Sequence, residues 1–411
     1  MMKSARRTLG NLKHKTDQER RRKKAEQTAL TDPTARPFLG LNEYSLALDP
    51  IQFTSARPSV NAIFLSAKAG SMFAGSRSAL IAAASMAALC GRPLRVISLD
   101  PLRANDVDAI TTIVGKQAPS VEVSVVDALH DVVEACSADT WLATHFTTAH
   151  CLDNLCRRGV LDPERIVYLI QDYEPSFLPA GTDYFLARST YHAGFIPLVN
   201  SLPLANHLQR AEAITVNPGA VFAPALDVTQ LEKSASQPCN AAPTVFFYAR
   251  PNKPRNMFNL GVSSLMVAAD LLEDHDEKTQ FVGVGAEFAS VQLSPRHTLV
   301  SEGQLGWDAY FVRLAQGRVL LSLQATPHPS HPPLDMVAMG RQAVTNEVLG
   351  GTRNELHPRL TATEADPESL GVAVAQAVTS GDVVRAFDSE FVASLGGDFE
   401  ACVAHALEQV G

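Results

Sequence analysis

Long apolar runs are missing from this 411-residue chain. No stretch reaches the roughly 18 to 20 apolar residues that a membrane-spanning helix requires. The nearest, ALIAAASMAALC at 79–90, is short and Ala-rich, stops at Gly91 and reads as a buried helix. No apolar segment follows the basic start of the chain, so a secretory leader is not expected. The six cysteines (90, 136, 151, 156, 239 and 402) form no CxxC pair and no metal-like cluster. They read as reduced thiols of a cytoplasmic protein; Cys151 and Cys156 could neighbour one another on a helix without implying a disulfide. A complete glycine fingerprint for a dinucleotide is also lacking. FVGVGAEF offers half of one, without the third glycine, which argues against a nicotinamide dehydrogenase. Positive charge is scarce outside one segment. Residues 1–28 hold ten Lys or Arg against three acids, and the remainder holds 25 basic against 40 acidic residues. A body this acidic offers no general face for nucleic acid.

What is present is an alternation. The runs VNAIFLS, LRVISLD, VEVSVVD, TWLATHF, RIVYLIQD and AITVNPG are separated by helical patterns, and TVFFYAR, QFVGVG, TLVSEG, RVLLSLQ and QAVTNE continue the series. Continuous apolar runs alternating with helices predict parallel sheets covered on both faces. The expected fold is α/β, with two Rossmann-like doubly wound domains facing across a cleft, the GT-B arrangement. We expect a basic mobile tail at 1–40, an N-terminal Rossmann-like domain at 41–218 and a C-terminal Rossmann-like domain at 219–385, for which the resemblance described below implies acceptor and donor roles. The last segment, 386–411, is expected to be a helix packing back on the N-terminal domain. LDVTQLEKSASQPCNAAP reads as the interdomain linker. In DPESLGVAVAQAVTSG, Asp366 suits an N-cap, Pro367 the first helical position and Gly381 the stop.

Ligands of such sheets bind beyond the carboxyl ends of the strands, so the loops there carry the chemistry. YARPNKPRN follows a strand and sets Arg250 and Arg255 near a helix start, with Lys253 between them. Forked guanidiniums beside free amides suit a diphosphate; ordinary surface arginines at a helix start are the plainer alternative. TPHPSHPPLDMVAMG packs four prolines and two histidines into its first eight residues, with Asp335 expected in the first turn of a helix starting near Leu334. Proline fixes φ and removes the N–H, so the loop is stiff and presents only selected amides. His328 is expected to donate to a phosphate or sugar, a structural histidine or a metal ligand being the alternatives. Asp335 would accept a pair of sugar hydroxyls, or serve only as a helix-dipole partner. Gly303, closing TLVSEG, and Ser330, inside the proline loop, join the donor-binding candidates. In SMFAGSRSAL, Gly75 marks a close backbone approach between strand and helix. After RIVYLIQD, the acid and aromatic groups Gln171, Asp172, Tyr173 and Glu174 could orient sugar hydroxyls, or simply cap and pack. Tyr173 and His145 are candidate acceptor contacts.

YLIQDYEPSFLPAGTDYFLARSTY, FFYARPNKPRNMFNLGV and LSLQATPHPSHPPLDMVAMGRQAVTN, occurring together and in order, resemble the GT-B rhamnosyltransferases that build bacterial surface polysaccharides and S-layer glycans. The resemblance runs from about 58 to 350 and leaves residues 1–40 uncovered. It implies transfer of a sugar, L-rhamnose from dTDP-rhamnose, to a glycan or lipid-linked glycan hydroxyl, retaining and metal-independent. It implies no cofactor beyond the nucleotide-sugar donor. By position, Arg250 and the basic residues after it match pyrophosphate contacts, His328 to Asp335 the donor loop, and Asp172 the cleft motif. Asp172 and His328 are therefore the catalytic candidates. The sequence departs from the family in three places. Pro327 stands where retaining members carry Glu, eight residues before Asp335; Asp335 itself is more often Glu; Ala74-Gly75 replaces two glycines. The alternatives are a non-catalytic carbohydrate-binding or assembly subunit and a sugar-nucleotide epimerase. The basic tail suggests peripheral contact with an anionic membrane face or an acidic partner.

Overall fold

A computed structural model describes all residues except 1, 72–73, 276–277, 349–350 and 352. The chain divides into two compact units. The first comprises Met1–Asn200, Val216–Phe222 and Asp398–Gly411, the second Ser201–Thr215 and Ala223–Gly397.

The first unit contains β1 (Ile51–Gln52), β2 (Val60–Phe64), β3 (Leu94–Ser98), β4 (Val123–Asp127), β5 (Val133–Glu134), β6 (Thr140–Ala143), β7 (Ile166–Ile170), β8 (Ile196–Asn200) and β9 (Val221–Phe222). Seven of these form a parallel sheet in the order β4-β3-β2-β6-β7-β8-β9, while β1 and β5 pair separately. Every residue of β2, β6 and β7 is buried, which is why these strands read as unbroken apolar runs. The Ala-rich helix Ala74–Cys90 packs on this sheet, and the closing helix Phe399–Glu408 inserts Cys402, Val403 and Ala406 into the same core.

The second unit repeats the plan with β10 (Thr244–Tyr248), β11 (Gln280–Val284), β12 (Val291–Gln292), β13 (Thr298–Gly303), β14 (Val319–Leu321), β15 (Gln342–Asn346) and β16 (Leu360–Thr363). The order is β12-β13-β11-β10-β14-β15-β16, all parallel except the edge strand β12. Helices Phe258–Leu271 and Pro367–Ser380 cover one face. They meet at Gly371, where an added Cβ would lie 2.7 Å from the Ser264 carbonyl oxygen. Asp366 accepts the Ser369 amide and Gly381 turns the chain at φ 61°, as the sequence spacing predicts. Helices Val228–Ala235, Trp307–Ala315 and His331–Ala338 cover the other face.

Several expectations need correction. Residues 1–40 are not a mobile tail but a helix, Met2–Thr31, followed by a 3-10 segment. Its Arg21 is buried, ion-paired with Asp100 at 2.5 Å and stacked 4.5 Å above the Tyr44 ring, and Lys24 donates to the carbonyls of Ala47 and Ala128. An acidic body supplies partners that the isolated sequence cannot show. The expected linker holds helix Val228–Ala235, capped by Asp227, because Leu231 and Ala235, four residues apart, fill one stripe of the second core. AITVNPG is not a strand: Ala213 ends helix Leu202–Glu212 at φ 56°, and β8 takes the place beside β7. Pro197 is tolerated in β8 because β9 pairs only with Val199 and Asn200, leaving Pro197 on an open edge. The boundaries expected at 218 and 385 shift accordingly: helix Leu202–Glu212 belongs to the second unit, and the return to the first falls at Asp398.

Candidate functional site

Each sheet has a point where the strand order reverses. In the first unit the chain runs outward from β2 through β3 to β4, then returns to β6 on the other side of β2; in the second it leaves β10 for β11 and returns at β14. The loops leaving the two strands at such a reversal splay to opposite faces, which opens a crevice. The basic loop follows β10 and the proline loop follows β14. Gly75 follows β2 and His145 follows β6.

In the second unit the two predicted loops are joined directly. The Arg255 carbonyl accepts the Ala325 amide at 2.8 Å, and Asn256 Nδ2 donates to Leu323 O at 3.2 Å and Gln324 Oε1 at 3.0 Å. Arg250 is half-buried, its Nη1 donating to the Tyr248 hydroxyl at 3.3 Å. The proline loop keeps its carbonyls but loses four amide donors, and Arg353 makes up the deficit. This guanidinium is 1% exposed and donates to the carbonyls of Gln324, Thr326, Pro327 and Asn346. Arginine, with five N–H donors and no acceptor, suits a loop rich in carbonyls.

The helix after the loop starts at His331 rather than near Leu334, with Pro332 and Pro333 in its first turn. Asp335 therefore sits in the second turn. It is buried, and its Oδ2 accepts the Tyr310 hydroxyl at 2.9 Å. Burial pushes its carboxyl up to about 7, with Tyr310 pulling down and Asp227 adding upward pressure. Ser330, at φ 73°, donates its amide to His328 Nδ1 at 3.0 Å. The His328 proton thus resides on Nε2, which is buried with no hydrogen-bond partner among the described residues. Burial, then the nearby His331 and Arg353, pushes its pKa down to about 3. His328 is an uncharged donor: Nδ1 is taken by the Ser330 amide and Nε2 carries the proton, an arrangement suited to donating. Gly303 owes its residue type to φ 67° and to the Glu287 Cγ lying 2.9 Å from where a Cβ would stand.

In the first unit Gly75 lies in the first turn of helix Ala74–Cys90 rather than between strand and helix, and its missing side chain lets Gln171 approach. Gln171 Nε2 donates to the Gly75 carbonyl at 2.9 Å, and a Cβ on Gly75 would stand 3.3 Å from that amide. Asp172 is half-buried; its Oδ1 accepts the Tyr173 amide at 2.9 Å and its carbonyl accepts the Tyr191 hydroxyl at 3.3 Å. Tyr173 is 6% exposed with its ring stacked on Tyr191, so it packs rather than faces an acceptor. His145 caps helix Phe146–Arg157 by accepting the Thr147 amide at Nδ1, leaving Nε2 3.6 Å from Glu174 Oε1. Glu174 in turn accepts the Phe146 amide at 2.5 Å and the Tyr168 hydroxyl at 3.3 Å. Burial raises its pKa against the pull of His145.

Sequence reasoning missed Asn256, Tyr310 and Arg353, which hold together the loops beyond β10 and β14 and the helix that follows. Asn256 lies inside a quoted motif and its amide was legible. Arg353 stands outside every motif, and nothing local marks it. Among the described residues no group of three or more His, Cys, Asp or Glu side chains gathers as a metal site would need, and no helix is long and apolar enough to cross a membrane.

Residues 60–202 match the family described as WsaF, N-terminal domain, and residues 243–375 match WsaF, C-terminal domain. The chain is built of the two WsaF domains. Together they span about two thirds of it, and both candidate loops of the second unit lie inside the C-terminal domain. The chain is also 32% identical over 246 residues to the O-antigen biosynthesis protein RfbC of Myxococcus xanthus, a match covering 60% of this chain and 18% of that protein. Among solved structures it is similar to a sucrose-phosphate synthase from Thermosynechococcus elongatus, with TM-score 0.54 and 12% identity over 86% of this chain and 98% of that one. HepE of Anabaena, solved in complex with UDP, gives TM-score 0.50 and 12% identity over 86% and 95%. The chain thus shares the GT-B fold with these structures.

Proposed function

We propose that the chain is a glycosyltransferase of bacterial polysaccharide biosynthesis, its second unit binding a nucleoside diphosphate sugar and its first the glycan acceptor. The observation that carries this is the junction at the β10/β14 reversal. There a loop bearing Arg250 and Arg255 is tied to a stiff loop in which His328 keeps a buried Nε2–H without a partner. In this reading the guanidiniums neutralise the departing diphosphate, so no divalent ion is required. His328 donates to a phosphate or sugar oxygen and Asp335 accepts a hydroxyl of the nucleoside sugar. Asp172 orients the acceptor, and the leaving phosphate helps take its proton, with retention at the anomeric carbon. Rhamnose from dTDP-rhamnose is the donor we favour, on the resemblance of three sequence blocks to rhamnosyltransferases. The family match and the similarity to an O-antigen biosynthesis protein support the polysaccharide setting.

The test is a thermal-shift screen with nucleoside diphosphates, followed by transfer assays with nucleotide sugars and glycan acceptors. A ligand at 100 times its dissociation constant adds about 2.7 kcal/mol, enough to read clearly. Absence of any shift sinks the donor site; activity lost with EDTA and restored by magnesium or manganese sinks metal independence. One observation favours a second reading, a non-catalytic binding subunit: Pro327 leaves the loop without a carboxylate before Asp335. Donor binding without turnover across an acceptor panel would establish it, and measured transfer would end it.

A further inference from the structure

Asp335 is an unusual carboxylate. A buried anion ordinarily collects two or three donors or a cation. Asp335 is 4% exposed, yet among the described residues it receives a single neutral donor, the Tyr310 hydroxyl on Oδ2, while Oδ1 has no hydrogen bond. No cation offsets it. The groups that face it are Tyr310 from helix Trp307–Ala315 and Asp227 from the start of helix Val228–Ala235. Asp227 is itself occupied, its carboxylate accepting the Gln230 amide and Trp307 Nε1. Tyr310 shares its apolar cluster with Tyr248, whose hydroxyl carries the Arg250 guanidinium. Tyr248 and Tyr310, in one cluster, thus contact Arg250 and Asp335 respectively.

We propose that Tyr310 is a positioning residue for the nucleoside half of the donor: it holds Asp335 by Oδ2 and leaves Oδ1 to accept a hydroxyl of the nucleoside sugar. The proposal rests on the reading that the second unit binds a nucleoside diphosphate. It assigns a division of labour, with Arg250 answering the diphosphate and the Tyr310–Asp335 pair answering the sugar of the nucleoside. Acceptance of hydroxyls requires the ionised carboxylate. The Tyr310 hydroxyl favours that form, whereas burial and Asp227 oppose it, so loss of the hydroxyl leaves Asp335 protonated at neutral pH.

The experiment compares a nucleoside diphosphate (UDP, or dTDP where the wild type prefers it) with inorganic pyrophosphate by titration calorimetry on the full chain and on Tyr310→Phe, near pH 7 and near pH 9. We expect wild-type affinity for the nucleoside diphosphate to weaken as pH falls below about 7. Near pH 7, Tyr310→Phe should bind it about 10-fold more weakly, with pyrophosphate unchanged, and should recover most of the loss near pH 9. Equal nucleoside diphosphate affinity near pH 7, an equal loss for pyrophosphate, or no recovery near pH 9 overturns the proposal. Should UDP, dTDP and pyrophosphate all fail to bind the wild type, the donor-site reading itself has failed, a result distinct from the others. If Tyr310→Phe does not fold, Asp335→Asn serves instead. It should show the same loss without pH recovery, and wild-type affinity in that variant overturns the idea.

Discussion

Arg250 and Asp335 answer to opposite kinds of energy. Arg250 is half-buried, touching Tyr248 through its hydroxyl, so its removal costs the fold little. If it meets the diphosphate, Arg250→Ala loses a charge-assisted bond of roughly 1.5 to 3 kcal/mol, and donor affinity should fall on the order of 10-fold to 150-fold. Arg250→Lys should restore only part, since an ammonium lacks the fork. Unchanged nucleoside diphosphate affinity in the alanine variant would move the donor site elsewhere. Asp335 instead strains the fold. Its folded pKa is raised from 3.8 to about 7, so its contribution to stability is fully present below about 4 and is lost as pH rises through about 7. Asp335→Asn keeps an acceptor for Tyr310 and removes the buried charge. It should raise stability near pH 8 by roughly 1 to 3 kcal/mol and do little near pH 4, as urea denaturation at the two pH values can check. Destabilisation near pH 8 would show that the carboxylate is better compensated than its contacts indicate.

The proline loop shows what an element needs beyond its own residues. Its stiffness was legible, because proline restricts φ wherever it occurs, but the means of satisfying its carbonyls was not. Those donors come from Arg353, more than 20 residues on, after β15 has returned the chain to the neighbouring position in the sheet. Arg353→Met would leave several buried carbonyls without partners. We expect a loss of at least about 3 kcal/mol by urea denaturation together with weakened nucleotide binding, with Arg353→Lys recovering part through its three donors. A neutral Arg353→Met would mean that water replaces the guanidinium. The expected helix start near Leu334 was late for a similar local reason. Two prolines look like a break, yet in the first turn of His331–Ala338 they occupy positions whose amides have no helical partner. In the first unit the acid-and-aromatic cluster after β7 was found from its strand-end position. Which members face outward depended on Tyr191, whose ring stacks on Tyr173 and whose hydroxyl meets the Asp172 carbonyl.

The two units each have their own cores, so the molecule need not unfold in one step. If the donor binds the second unit alone, scanning calorimetry with saturating UDP or dTDP should shift one transition upward and leave the other in place. A shift of both, or of neither, would contradict a donor site confined to that unit. The N-terminal helix belongs to the same scale: with Arg21 and Lys24 buried against the first unit, deleting residues 1–31 should lower that unit's transition. The sequence alone determined the class of fold, because continuous apolar runs separated by helical periods have few packings other than parallel sheets covered on both sides. It also marked the basic and proline loops, since arginine and proline carry their chemistry wherever they stand. Only the tertiary structure decided that the N-terminal segment packs as a helix, that 228–235 is core rather than linker, and that Arg353, Asn256 and Tyr310 bond to the proline loop and the helix after it. Each of these depends on a partner distant in sequence. The hydrogen bond or buried area that settles it exists only once the chain has brought the two together.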